Sequence, residues 1–352
     1  MKKNYIPYTL ILFLAFSLNI KSQVVNIPDS NFKNVLLQGQ SGINTNGDNE
    51  IQISEAIAFT GTIDCNSQNI QDLTGIEAFV NLKKLYCYGN QLTNLDLSQN
   101  IALEELLCFV NQLTTLDLSK NVKLISVSCY NNQLQNINIK NCVKLTSFGC
   151  GGNQLTNLDV SKNVDLKNLF CDSNQLTNLD ISKNLALERL ECFLNQITSL
   201  DLSMNIFLNT LVSGGNQLKL LNVKNGHNNL ITNFSAINNQ NLLCIQVDNV
   251  NYSTNNPSWY KDSFANYNTN CNYMNVNDIA RNKVDFYPNP VTDFLNIRDM
   301  DNFKNAEIFS TSGQLIKSYN SKKINLSTYP KGIYIIKVFT SEKTISGKII
   351  KQ

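Results

Sequence analysis

The sequence predicts a parallel β-solenoid of 21-residue coils, followed by a small all-β sandwich domain. Two observations carry the solenoid. The triplet Asn-Gln-Leu or Asn-Gln-Ile recurs at Asn90, Asn111, Asn132, Asn153, Asn174, Asn195 and Asn216, always 21 residues apart. Three positions ahead of each triplet stand Cys87, Cys108, Cys129, Cys150, Cys171 and Cys192, with Ser213 closing the series. A third observation carries the second domain: beyond Val284, short alternating apolar and polar segments are separated by turn residues.

Each half of the coil has a defined role. Leu85, Cys87 and Leu92 fall on the inward side of a strand, because side chains alternate between its faces. A second motif, Leu95-Asp96-Leu97-Ser98, returns at Leu116, Ile137, Leu158, Leu179 and Leu200, and its leucines point inward from the opposite wall. One coil cannot bury such a face, whereas stacked coils can. With one strand spacing per coil, seven coils span about 35 Å. Asn both donates and accepts, so one Asn per coil bridges its own turn to the next coil and satisfies backbone groups at the bend. A second column, Asn100, Asn121, Asn163, Asn184 and Asn205, repeats the device, with Cys142 standing in one coil.

Composition narrows the function. The chain of 352 residues is 42% hydrophobic and only 16% charged, with a net charge of +2. It has no basic footprint of the kind nucleic acid requires. Lys2 and Lys3, the apolar stretch Ile6 to Ile20 and small Ser22 read as a signal peptide over residues 1–22, cleaved before Gln23. No second apolar run follows, so no transmembrane segment is expected after cleavage.

The repeat segment Leu103-x-x-Leu106-x-Cys108-x-x-Asn111-x-Leu113 resembles the leucine-rich-repeat consensus. The Cys in each strand is similar to the cysteine-ladder subclass of bacterial internalin-like surface proteins. The resemblance covers about residues 65–245. It implies a concave sheet that binds proteins or glycans. Tyr86, Tyr88, Phe109, Tyr130, Phe170 and Phe193 flank the inward cysteines on that face and form the candidate ligand-binding set, with Glu105, Asp172, Arg189 and Glu191 as a polar complement. Exposed aromatic patches mark interaction sites; the alternative is simple strand preference for aromatic residues. The stacked Asp96, Asp117, Asp159, Asp180 and Asp201 are expected to hydrogen-bond to local turns.

The ladder cysteines are expected as free buried thiols, since in-register parallel neighbours stand too far apart for a relaxed disulfide. Cys244 and Cys271 lie beyond the repeats, in a C-terminal cap over residues 246–271. They are a disulfide candidate, the alternative being two free thiols.

An N-terminal cap occupies residues 23–64. Pro28-Asp29-Ser30 opens a helix running from Asn31 to Gln38. The segment Asn44 to Glu55 resembles an EF-hand loop: Asn44, Asn46 and Asp48 fall at positions one, three and five, Glu50 at seven and Glu55 at twelve. That resemblance implies a structural calcium ion. Position one is Asn and position six is Asn49 rather than Gly, which weakens the site.

After a linker at 272–283, residues 284–352 form the second domain, with strands expected at 294–297, 306–310, 314–319, 333–340 and 344–350. Tyr287-Pro288-Asn289-Pro290, Ile308-Phe309-Ser310, Gly313-Gln314, Leu326 and Gly332-Ile333-Tyr334 resemble the type A sorting domain of the type IX secretion system of Bacteroidetes. The resemblance implies the secretion machinery as partner and a secreted or outer-surface location. His227 is the only histidine and sits in a Gly- and Asn-rich segment. No nucleophile, base and acid set appears, so an enzyme is not expected. The expected function is a secreted or surface binding protein acting in recognition or adhesion. The alternatives are a surface structural protein without a discrete ligand, and an accessory to a polysaccharide or peptide hydrolase.

Overall fold

The coils from Lys84 to Cys192 each open with a three-residue strand whose middle side chain, and the cysteine two positions on, are buried. A computed structural model describes residues 23–39, 42–271, 285–298, 302–310, 314–341 and 344–352. The expected signal peptide, the linker and Gly313 of the Gly313-Gln314 motif lie outside the described residues. Leu85, Cys87, Leu92 and Leu97 are fully buried, and Leu95 nearly so. The equivalents in later coils continue the same core. The strands Lys84–Tyr86, Glu105–Leu107, Ser126–Ser128, Ser147–Gly149, Asn168–Phe170 and Arg189–Glu191 pair in parallel, each residue opposite the one 21 positions on. Among the described residues these belong to a ten-stranded parallel sheet running from Thr62–Asp64 to Trp259–Lys261. The opposite wall is more sparsely paired, in sheets of two and four strands.

The first asparagine column acts on the preceding coil rather than the next one. The Asn132 Nδ2 group donates to the Cys129 carbonyl of its own coil and the Cys108 carbonyl of the coil before, both at 3.1 Å. Its Oδ1 accepts the Leu113 N–H, again of the coil before, at 3.0 Å. The same three contacts recur at Asn111, Asn153, Asn174, Asn195 and Asn216. The residue just before each column asparagine is left-handed: Gly89, Val110, Asn131, Gly152, Ser173, Leu194 and Gly215 all have positive φ. A side chain bearing a Cβ accepts this at a cost of about 1–2 kcal/mol. Even β-branched Val110, at φ 54°, does so.

The second column does only half as much. Asn163 Nδ2 donates to the Ile139 and Cys142 carbonyls at 3.1 and 2.8 Å. The Oδ1 atoms of Asn100, Asn121, Asn163, Asn184 and Asn205 are buried and accept nothing from the described residues. That asymmetry accounts for Cys142. Its Sγ lies 3.4 Å from the Leu118 carbonyl and 3.7 Å from that of Asn121, the two acceptors an asparagine there would use. A thiol is a weak donor, and no acceptor is lost because the column uses none.

The ends are closed by distinct devices. Asp29 Oδ1 caps the helix Ser30–Asn34 by accepting the Asn31 and Phe32 N–H groups, while Oδ2 accepts those of Gln71 and Asp72. The helix then widens to i→i+5 turns over Val35–Gly39. At the other end the repeat continues beyond residue 245. Asn239 takes an eighth place in the first column, 23 residues after Asn216, with Ala236 in the cysteine position. The segment expected to be a cap adds a strand to each wall, Trp259–Lys261 and Asn266–Asn268. Trp259 stacks on Phe234 with ring centres 4.4 Å apart, and its Nε1 donates to the Ile231 carbonyl.

Cys65, Cys87, Cys108, Cys129, Cys142, Cys150, Cys171 and Cys192 are free and buried, whereas Cys244 and Cys271 are disulfide-bonded. Burial pushes the Cys108 and Cys192 thiols up to about 12 and the other ladder thiols also upward. Thiolate, the reactive form, is thereby suppressed.

Residues Asn270–Gln352 form a separate compact unit. Strands Asp285–Tyr287, Phe294–Arg298 and Lys323–Asn325 make one antiparallel sheet. Phe303–Phe309, Leu315–Tyr319, Gly332–Thr340 and Thr344–Lys351 make another. Their inward residues, among them Leu295, Ile308, Leu326, Ile336 and Val338, form its core. Asn289, between the two prolines, donates to the Lys348 carbonyl and accepts the Ile350 N–H, fastening that turn to the last strand.

Two outcomes follow from this packing. Asn132→Ala strands the Leu113 N–H and should cost roughly 2–3 kcal/mol in urea unfolding. Asn163→Ala also removes an oxygen without a partner and should cost about 1 kcal/mol or less. Equal losses would contradict the difference between the columns. A thiol reagent should leave the native protein unmodified and find eight thiols after denaturation. Rapid labelling of folded protein would show the ladder to be accessible.

Candidate binding surface

The outer face of the ten-stranded sheet presents its side chains in columns one coil apart. The column after each buried cysteine holds Tyr88, Phe109, Tyr130, Gly151, Asp172 and Phe193; the column before it holds Tyr86, Leu107, Ser128, Gly149, Phe170 and Glu191. The six aromatic residues expected to bind ligand therefore divide. Tyr88, Phe109 and Tyr130 come together as a continuous stack, with ring centres 4.3 Å apart at each step and planes within 10° and 11° of parallel. Phe193 lies in the same column beyond Gly151 and Asp172, outside the stack. Tyr86 and Phe170 belong to the neighbouring column. All six are half-buried or, at Tyr130, 37% exposed.

The charges on this face are mostly spent on one another. Lys84 pairs with Glu105 at 2.9 Å, Lys167 with Glu188 at 3.1 Å, and Arg189 with Glu191. Tyr86 lies beside Glu105 and Lys84; burial and the Glu105 charge raise its pKa. The Arg189 guanidinium also covers the Phe170 ring, 5.4 Å from its centre.

One coil interrupts the pattern. The run Gly149-Cys150-Gly151-Gly152 puts no side chain where neighbouring coils place bulky ones. A cleft of about 430 Å³ opens there, lined by Tyr130, Phe170, Asp172 and serine hydroxyls. The glycine cluster is visible in the sequence, but a search for reactive or aromatic residues passes over a place defined by missing side chains.

The EF-hand-like loop is folded by its own hydrogen bonds. Asn44 Oδ1 accepts the Gly47 N–H, Asn46 Oδ1 that of Asp48, and Asp48 Oδ1 that of Glu50. Asp48 Oδ2 accepts from both Asn46 Nδ2 and Gln52 Nε2, at 3.0 and 2.9 Å. Glu50 pairs with Lys33 at 2.7 Å. Glu55, only 8% exposed, accepts from Thr45 N–H, Thr45 Oγ1 and Asn46 N–H through Oε1, and from Gln52 N–H through Oε2. As placed, the set does not fit a cation, because N–H donors already occupy the carboxylate oxygens that would hold it. No three histidine, cysteine or acidic side chains converge as a metal site among the described residues. Glu55 instead closes a capping box with Gln52 at the start of helix Ile53–Ala58.

On the opposite wall, Asp96, Asp117, Asp159, Asp180 and Asp201 each accept the N–H two residues on, at 2.9–3.0 Å. They close turns, as expected of short polar side chains there. His227 is exposed in a turn beside the short helix Asn228–Leu230.

Residues 285–352 match the family model described as the secretion system C-terminal sorting domain. Over 46 residues the chain is 48% identical to internalin J of Listeria monocytogenes serotype 4b, strain F2365; the match covers 13% of this chain and 5% of that protein. Among solved structures, the functional domain of InlJ from Listeria monocytogenes, described as including a cysteine ladder, is similar with 20% identity, covering 94% of this chain and 98% of that one at a TM-score of 0.34. Internalin C2 of Listeria monocytogenes is 19% identical over 58% of this chain and 88% of its own, at 0.46. A leucine-rich-repeat protein of Leptospira interrogans is 20% identical over 56% of each chain, at 0.42. The parallel coils described above form a leucine-rich-repeat solenoid on their own register and core. The sorting domain directs the chain to the outer cell surface or the extracellular space and implies contact with the secretion machinery. No described helix is long and apolar enough to cross a membrane.

Burial pushes the Glu55 carboxyl up, but its four hydrogen bonds outweigh that and hold it below its ordinary 4.5. A depressed pKa contributes stability above the unfolded value, and that stability is lost as pH falls through the folded one. Glu55→Gln should therefore be less stable than wild type at neutral pH, and should lose less further stability on acidification below pH 4.5. Parallel curves for the two proteins would show that the carboxylate contributes nothing to the cap.

Proposed function

We propose that this chain is a secreted or cell-surface recognition protein that binds a protein or glycan ligand on the outer face of its ten-stranded sheet, and that it acts in adhesion rather than catalysis. The stack of Tyr88, Phe109 and Tyr130 carries the reading. Three rings aligned at 4.3 Å steps on a solvent-facing sheet offer rigid apolar area with polar edges, which suits interface anchors. The rest of the face supports it: apart from Asp172, the acidic side chains around the rings are paired with cations, so they frame the rings with little net field. The wall opposite has its aspartates committed to turns, and His227 lies apart from the sheet, so neither supplies an acid–base pair.

Export gives this face access to other cells, matrices and soluble macromolecules. The sorting domain serves delivery, and the solenoid serves contact.

The test begins with a glycan array and a panel of purified surface proteins probed with the secreted chain. For a ligand so found, Tyr88→Ala combined with Phe109→Ala should weaken binding at least tenfold, the scale of an anchor residue, with an unchanged circular-dichroism spectrum. Undiminished binding by the folded double variant would refute the face. Self-association without a saturable ligand would favour a structural coat, and turnover of polysaccharide or peptide would favour an enzyme accessory.

A further inference from the structure

The aromatic stack ends at a missing rung. In the column after the buried cysteines, Phe109 covers one face of Tyr130. The next position on the other side is Gly151, and the one after it is Asp172. A Cβ on Gly151 would stand 2.6 Å from Asp172 Oδ1, so the carboxylate leans over the empty position. The neighbouring column is bare at the same level. Gly149 sits in register between Ser128 and Phe170, and Arg189 covers Phe170 from the following coil. The cleft of about 430 Å³ is the space these glycines leave.

Its chemistry is specific. Asp172 leans from one coil away toward the bare Gly151 position, so its carboxylate and the Tyr130 ring border the same recess. Asp172 accepts a hydrogen bond from Ser173 Oγ at 3.3 Å. Unlike Glu104, Glu105, Glu188 and Glu191, it has no cationic partner among the described residues. Burial, reinforced by the Glu191 charge, lifts its pKa above the ordinary value, and a bound cation would reverse that cost.

We propose that this empty rung, between Tyr130 and Asp172, receives the guanidinium group of an arginine side chain on a protein partner. A guanidinium is planar, stacks on aromatic rings and pairs with a carboxylate through two parallel N–H donors. Arg189 on Phe170 already makes the ring contact within this chain. An ammonium is compact and would leave the planar slot partly unfilled. A neutral sugar would leave the Asp172 charge uncompensated. The inference rests on the outer sheet face being the binding surface, and it selects protein over glycan there.

The test titrates the full chain with N-acetyl-arginine amide by ligand-observed NMR, with N-acetyl-lysine amide and methyl glucoside as comparators. The arginine probe should bind saturably in the millimolar range, as befits a single small group, and more tightly than either comparator. Asp172→Asn should weaken it at least tenfold. Gly151→Tyr, whose Cβ would push the Asp172 carboxylate aside, should abolish it, and Asp172→Asn should retain the wild-type melting temperature. Absence of saturable arginine binding, indifference to Asp172→Asn, or preference for the glucoside would each overturn the proposal. The Tyr88→Ala, Phe109→Ala variant separates the two readings. If it loses a macromolecular ligand while wild type ignores the arginine probe, the face stands and only the rung assignment falls.

Discussion

The carboxamide of each first-column asparagine closes two coils at once, and most of the solenoid follows from that bond set. At the bend after each buried cysteine the backbone turns too sharply to continue the strand ladder. The Cys108 and Cys129 carbonyls and the Leu113 N–H are met there by side-chain amides. Only a side chain that donates and accepts in one plane can do this. Its position requires the preceding residue to be left-handed, which Gly accepts freely, Asn131 at small cost, and Val110, Ser173 and Leu194 under strain. With the bend fixed, the strands fall into 21-residue register, the cysteines line up inside, and the residues on either side of them are presented outward in columns. The binding surface is thus a by-product of how the corner is satisfied.

Much of this was legible because each coil repeats the same physical problem with the same residues. The period, the inward Leu85 and Cys87 sets, the turn-closing aspartates and the strands of the sorting domain all announce themselves as patterns. What was hidden had no pattern to show. Continuation past residue 245 was masked because the step grows to 23 residues at Asn239 and to 25 between Phe234 and Trp259. That the amides reach backward, and that the second column leaves its oxygens without donors, depends on which carbonyls already have partners. In the Asn44–Glu55 loop the residue types fit a cation motif. As placed, the same side chains are engaged in hydrogen bonds with one another, which no spacing rule displays.

The surface itself divides into a part written by residues and a part written by their absence. The ring stack of Tyr88, Phe109 and Tyr130 is built from side chains that any survey of the strands would notice. The cleft beside it exists because one coil carries Gly149, Gly151 and Gly152 where the adjoining coils carry Ser128 and Phe170, Tyr130 and Asp172, and Asn131 and Ser173. In a solenoid, deleting a side chain on the outer face costs the core nothing, since inward and outward positions alternate. Such a fold can therefore carve a recess into a flat sheet without disturbing its stacking, and Asp172 gains its solitary carboxylate by the same route.

The backward reach of the amides gives the molecule an arrow. A coil is incomplete until its successor arrives to satisfy it, and the last bend is completed by Asp262, whose two oxygens accept the Asn238 and Asn239 N–H groups. At the opposite end Asp29 ties the opening helix to the first coil. Order in this chain is consequently inherited from downstream. A truncation from the C-terminus leaves a raw corner and unpaired strand N–H groups on the last retained coil, while the coils further upstream keep their bonds. Shortening or lengthening the array by whole coils therefore calls for the whole terminal unit, strands, Trp259 and Asp262 together, to travel with the end.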